Sequence, residues 1–203
     1  MKALIVYAHP SPASFSHAVK ESLKSGFIDA GWEIIESDLY KMGYKACLDR
    51  YDYPTYTEEV FNIDRASTQA LNDHVYDREI EIEMDKIRAA NVIAFQFPIW
   101  WSTTPAILTG WLQRNFPIGF GWPDPVLSGK KVLIACTAGN NPKEELEAAV
   151  KLFARSFEFM GAKILPYIII TSVNTSTQEG RENELANARE VARETAANFQ
   201  TAP

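Results

Sequence analysis

Residues 93–117, IAFQFPIWWSTTPAILTGWLQRNFP, run a strand-length apolar segment straight into an aromatic turn and then into a helical pattern. Ile93 to Phe97 is short and apolar, and Pro98 has no N–H to give a sheet ladder, so the strand is expected to end there. Ile99, Trp100, Trp101 and Ser102 then fall in a loop. In an open α/β sheet, ligands sit outside the carboxyl ends of the strands, so this loop would turn backbone amides and two indoles towards a crevice suited to a flat heterocycle. An arbitrary Trp-Trp pair serves as core about as often. Here its position at a strand end favours the ligand.

Outward from this segment, runs rich in Val, Ile and Leu recur at 3–8, 33–37, 92–97, 132–137 and 164–171. Unbroken apolar strands imply a parallel sheet covered on both faces. Between them, Phe15, Ala18, Val19, Leu23, Phe27 and Ala30 recur at threes and fours, as do Leu146, Ala149, Val150, Phe153, Ala154 and Phe157. Each set would bury one helical stripe. Gly31 and Gly161 follow these helices, where a left-handed residue ends a helix at least cost. A last helix over 179–199 is expected to close the flank of the sheet. Strands alternating with helices through right-handed crossovers give one α/β, doubly wound domain over 1–203. The alternation breaks at 41–76, where Tyr44, Tyr51, Tyr53, Tyr56, Phe61 and Tyr76 stand among polar and acidic residues. A loop so long and aromatic is either a flexible insertion or a functional one.

His9-Pro10-Ser11-Pro12-Ala13-Ser14-Phe15-Ser16 follows the first strand and opens the first helix, where unpaired N–H groups and the helix dipole attract a phosphate. Ser14 or Ser16 would cap the helix, and His9 could donate a ring N–H to the same anion. Alone this is an ordinary N-cap. Paired with the Trp100 loop across the switch point of a doubly wound sheet, it describes one ligand with a phosphate at one end and a ring at the other. The loop Thr137-Ala138-Gly139-Asn140-Asn141 forms a third wall, on which Gly139 allows close backbone approach.

Composition narrows the alternatives. The 203 residues are 46% hydrophobic and 23% charged, with a net charge of −6, which provides no basic stripe for nucleic acid. No apolar run approaches the roughly 20 residues of a membrane-spanning helix. The first seven residues are too short and strand-like for a signal peptide, so the chain reads as cytoplasmic. Cys47 and Cys136 lie far apart, and no His, Asp or Glu cluster has metal-ligand spacing. His17 and His74 read as capping or surface residues.

The segment around Trp100 resembles the flavin-dependent NAD(P)H:quinone oxidoreductases of the DT-diaphorase family. The resemblance is carried by Phe95-Gln96-Phe97-Pro98, Pro105-Ala106-Ile107-Leu108, Gly110-Trp111, Arg114 and Phe116. It extends over residues 1–45 through Ala8-His9, Ser14-Phe15, Gly31-Trp32-Glu33 and Glu36-Ser37-Asp38-Leu39-Tyr40, and weakens after about residue 138. It implies a flavodoxin-like, five-stranded parallel sheet of order 2-1-3-4-5 with helices on both faces. It also implies FAD, with FMN as the alternative, and NAD(P)H as co-substrate for ping-pong, two-electron reduction of a quinone-like small molecule. On this resemblance, His9, Ser14, Phe15, Ser16 and Ala18 hold the phosphates, Pro98, Ile99, Trp100 and Trp101 the isoalloxazine, and Thr137 and Gly139 its other side. Region 41–76 would wrap the partner of a homodimer.

Two departures stand out. The family places a Tyr-x-Tyr pair after the Arg114 helix and a Tyr and a His after the fourth strand. This chain has Phe120-Gly121-Trp122-Pro123-Asp124 at the first place, and neither residue type over 141–151. Trp101 and Trp122 are therefore the candidate catalytic residues, as aromatics that hold substrate. A flavin-binding ancillary subunit of a partner such as a cation-efflux transporter, or a flavodoxin-type carrier, remain the alternatives.

Overall fold

Ala3 to Tyr7, Val92 to Pro98 and Val132 to Thr137 are buried without interruption, as strands covered on both faces must be. They form the centre of a parallel sheet in a computed structural model that describes residues 1–200. The strands are β1 (Lys2–Tyr7), β2 (Glu33–Asp38), β3 (Val92–Pro98), β4 (Lys131–Thr137), β5 (Lys163–Ile164) and β6 (Ile168–Ile170). Their order is β2-β1-β3-β4-β5, with β6 also on β4, so the expected 2-1-3-4-5 arrangement is found. The fifth strand, however, is two short pieces. Leu165-Pro166-Tyr167 interrupts it, because Pro166 has no N–H for the ladder and is tolerated only at a sheet edge. β5 pairs with the start of β4 and β6 with its end. Pro98 is likewise the last residue of β3 rather than the first beyond it. The next N–H, that of Ile99, makes the bond to the Thr137 carbonyl at 2.8 Å.

Helix α1 (Phe15–Asp29) covers one face of the sheet, packing with the last helix over Ala3, Ile5, Val92, Ala94, Leu133 and Ala135. That last helix is α7 (Gln178–Gln200), close to the expected 179–199. Gly26 allows the two helices to touch, since a Cβ there would overlap the Arg189 carbonyl. Between them in sequence come α2 (Leu39–Met42), α3 (Ile63–Asp73), α4 (Arg78–Ala89), α5 (Ala106–Asn115) and α6 (Lys143–Phe159). Of these, α4, α5 and α6 cover the opposite face, over Leu4, Val6, Ile93, Phe95, Phe97 and Ile134. Gly31 and Gly161 adopt φ of 77° and 91°, the left-handed helix ends expected of them.

Region 41–76 differs from a bare loop. It contains a 3-10 turn (Arg50–Asp52) and α3, and it folds around a small aromatic core of Tyr53 and Tyr56 with Ala66 and Ala70. Arg114 of α5 fastens it to the body. Its guanidinium bonds Asp52 at 3.0 and 3.2 Å and the Lys45 carbonyl at 2.9 Å, and pairs with Glu79. Arg114 and Asp52 are both buried.

Candidate functional site

The carboxyl ends of β1, β3 and β4 open into one cleft of about 180 Å³, at the point where strand order reverses. Ser14 caps α1 along its first wall. Its Oγ accepts the His17 N–H at 3.1 Å, and its carbonyl accepts those of His17 and Ala18 at 3.0 and 3.3 Å. The N–H groups of Phe15 and Ser16 have no acceptor among the described residues. They add two directed donors to the positive end of the helix dipole. The Ser16 hydroxyl lies 2.7 Å from that of Thr137, which ties this wall to β4.

His9 stands beside it. The Ser11 N–H donates to Nδ1 at 3.0 Å, so the ring proton sits on Nε2. Burial holds the ring below the ordinary histidine range, which leaves a neutral imidazole with one N–H donor. Its centroid is 5.7 Å from that of Trp100.

The second wall begins at Pro98. Trp100 and Thr103 exchange N–H···O bonds at 3.1 Å, closing a two-residue turn. Its tip residues, Trp101 and Ser102, have φ of 52° and 56°. A tight hairpin needs that twist, at about 1–2 kcal/mol for each non-glycine residue. The consequence corrects one expectation: the amides of Ile99 and Trp100 are already bonded within the protein. The turn also separates the indoles. Trp100 is 40% exposed and lines the cleft, whereas Trp101 is 99% exposed and stands clear of its wall. Neither is core.

On the third wall the Ala138 N–H donates to Ile170 at 2.9 Å, while those of Gly139, Asn140 and Asn141 have no acceptor among the described residues. A Cβ on Gly139 would come within 2.9 Å of Asn174 Nδ2, so glycine permits the packing there. Val173 and Asn174 also line the cleft, and sequence reasoning missed both. The signal was the strand-end rule itself, which applies to the loop after β6 as much as to the others. Arg181 locks this loop, donating to the Val173 carbonyl and to Ser176 Oγ, each at 2.9 Å. Its guanidinium lies 5.5 Å over the Phe15 ring.

The cleft thus gathers His9, Ser14, Phe15, Ser16, Pro98, Ile99, Trp100, Thr137 and Gly139. Ala18 and Trp101 do not line it. Trp122 lies in a separate apolar groove with Phe116, Leu152, Phe159 and Met160. On β3, Gln96 is fully buried, and neither side-chain polar atom has a partner among the described residues. An amide buried in this way costs about 1–3 kcal/mol.

Residues 1–196 match the family model described as flavodoxin-like fold. NAD(P)H dehydrogenase (quinone) 1 of Rattus norvegicus is 34% identical over 148 residues, 69% of this chain and 54% of its own length. The chain therefore spans about half the length of that relative. Ribosyldihydronicotinamide dehydrogenase (quinone) of Mus musculus is 30% identical over 204 residues, 92% of this chain and 88% of its own. A Klebsiella pneumoniae chain provisionally named a quinone reductase superposes with a TM-score of 0.88 at 26% identity, over 100% of this chain and 86% of that one. Among the described residues no helix is long and apolar enough to cross a membrane. A cleft at the β1–β3 switch and relatives that run nearly the full length converge on one placement: the chain belongs to the flavodoxin-like family, in the part of it that holds the quinone dehydrogenases.

Proposed function

We propose that this chain is a flavin-dependent NAD(P)H dehydrogenase that reduces quinones or related electrophiles by two electrons. One observation carries the reading: a single cleft joins the N–H groups of Phe15 and Ser16, which have no acceptor among the described residues, to the indole of Trp100. The first suits a phosphate and the second a flat ring. Free N–H groups at 139–141 could stabilise negative charge on the edge of a reduced ring. The residues present therefore fit a flavin. When bound, that group supplies hydride transfer from a nicotinamide and then to an acceptor at the same face, hence ping-pong kinetics.

The chain's own task is to bind and orient. His9 Nε2–H and the first turn of α1 hold the phosphate end, Pro98, Ile99 and Trp100 hold the ring, and Trp101 offers an aromatic rim to substrate. FAD, which the family resemblance implies, is proposed over FMN. Trp122 lies outside the cleft of its own chain, and the exposure of Trp101, Trp122, Leu152 and Phe159 supports a two-fold dimer in which it serves the partner's cleft.

The lack of Tyr and His at 119–124 and 141–151 favours a second reading, a flavin-binding ancillary subunit. The test is to load the purified protein with FAD or FMN, identify the retained cofactor by chromatography, and follow NAD(P)H oxidation with benzoquinone. Turnover of about 1 s⁻¹ or more is expected of an enzyme. A retained flavin without turnover selects the ancillary subunit, and retention of neither flavin removes both readings.

A further inference from the structure

Resting on the flavin reading above, we infer that Gln96 is a positioning residue of the cofactor cleft, a buried amide that completes the Ser16–Thr137 hydroxyl pair when that pair turns to a ligand. Its placement is the first ground. Val92 and Ala94 face the α1–α7 side of the sheet, and strand alternation puts Gln96 on that side, next to the cleft. Its neighbours in register are Tyr7 on β1 and Ala135 on β4, and two residues further along Pro98 pairs with Thr137 at the cleft wall.

The second ground is the hydrogen-bond arrangement around it. Tyr7 OH lies 3.4 Å from Ser14 Oγ, and Ser16 Oγ lies 2.7 Å from Thr137 Oγ1. These contacts fasten the first turn of α1 to the two strands that flank β3. In the Ser16–Thr137 pair, one hydroxyl donates to the other. An ionised phosphate group near it accepts hydrogen bonds, so a Ser16 O–H turned to the ligand no longer donates to Thr137. The Thr137 O–H then donates to Ser16 Oγ, and the Thr137 oxygen is left open to a donor from within the protein. A glutamine can both donate and accept, and the diagonal residue two along the neighbouring strand, Thr137, is within reach of so long a side chain. Gln96 is fully buried, and among the described residues both its polar atoms are unpartnered, so its Nε2–H is free to donate to the Thr137 oxygen.

The test measures two quantities on Gln96→Met, which keeps the length, and on Gln96→Leu as a second apolar variant. One is the thermal midpoint of the flavin-free protein; the other is the flavin dissociation constant, read by fluorescence quenching. The apolar variants are expected to hold or raise the flavin-free midpoint while weakening flavin binding by about tenfold. In a Thr137→Val background, Gln96→Met should weaken binding no further, because the group it completes is gone. A dissociation constant within about twofold of wild type, with only the midpoint moved, overturns the inference and leaves the flavin reading standing. Wild-type protein that retains neither FAD nor FMN overturns both.

Discussion

At position 100 a ring contact and a fold contact can be told apart, because Trp100 lines the cleft yet is 40% exposed. Trp100→Ala is expected to weaken flavin binding roughly three- to tenfold, the worth of one aromatic contact. Its thermal midpoint should move no more than surface substitutions do, about 0.5 kcal/mol in stability. Normal flavin content with normal turnover would place the ring elsewhere. His9 carries a pH signature. Burial sets its folded pKa below the unfolded value of 6.5, so between those values the unfolded chain binds more protons and stability rises with pH. That contribution is complete above the unfolded value and is lost as pH falls towards the folded one. His9→Gln should therefore flatten the fall of thermal midpoint between about pH 7 and 5; parallel curves for the two proteins would refute the assignment. Most cleft residues were legible because each stands at the end of an apolar run. Val173 and Asn174 were not, because a polar loop after an edge strand has the composition of any turn. The left-handed backbone that parts Trp101 from Trp100 was also hidden, since bulky residues rarely take it.

Elements whose burial follows a simple period were the ones the sequence disclosed. β1, β3, β4, α1, α6 and α7 all lie within a few residues of their apolar patterns. The helix over 63–73 escaped because its buried positions are Ala66, Ser67 and Ala70, too small to stand out against the aromatics around it. That region has its own small aromatic core, and a buried guanidinium on another element fastens it to the body. Removing one partner of a buried ion pair costs about 3–5 kcal/mol, since the other charge is left without water or counter-charge. Lys45 Nζ, 2.8 Å from Asp52, still counters that carboxylate, so Arg114→Leu should destabilise by the lower end of that range, about 3 kcal/mol, seen as a lowered denaturation midpoint. It should also raise amide hydrogen exchange over 44–76 more than in β1 or β3. Uniform loss of protection across the molecule would mean that the cluster supports the whole core rather than the insertion.

At the scale of the whole molecule, the sheet is covered on both faces, yet large apolar side chains remain outside. Leu152 is 75% exposed, Phe159 68% and Trp122 58%, and all three border one groove between α5 and α6. Soluble monomers rarely leave such a contiguous surface open, and a net charge of −6 on 203 residues is too modest to keep two copies apart. A two-fold dimer would bury the groove against its own symmetry mate and bring Trp122 towards the other chain's rim at Trp101. Phe159→Glu separates assembly from cofactor binding, because Phe159 touches the groove and not the cleft. Sedimentation of wild type should give the mass of two chains and that of the variant the mass of one. The variant should still retain flavin through α1 and Trp100. Its quinone turnover should fall by at least about tenfold, because substrate positioned by one chain alone loses orientation at the reacting face. Dimers with full turnover in the variant would show that this surface is not the contact, and monomers with full turnover would show that each cleft is complete by itself.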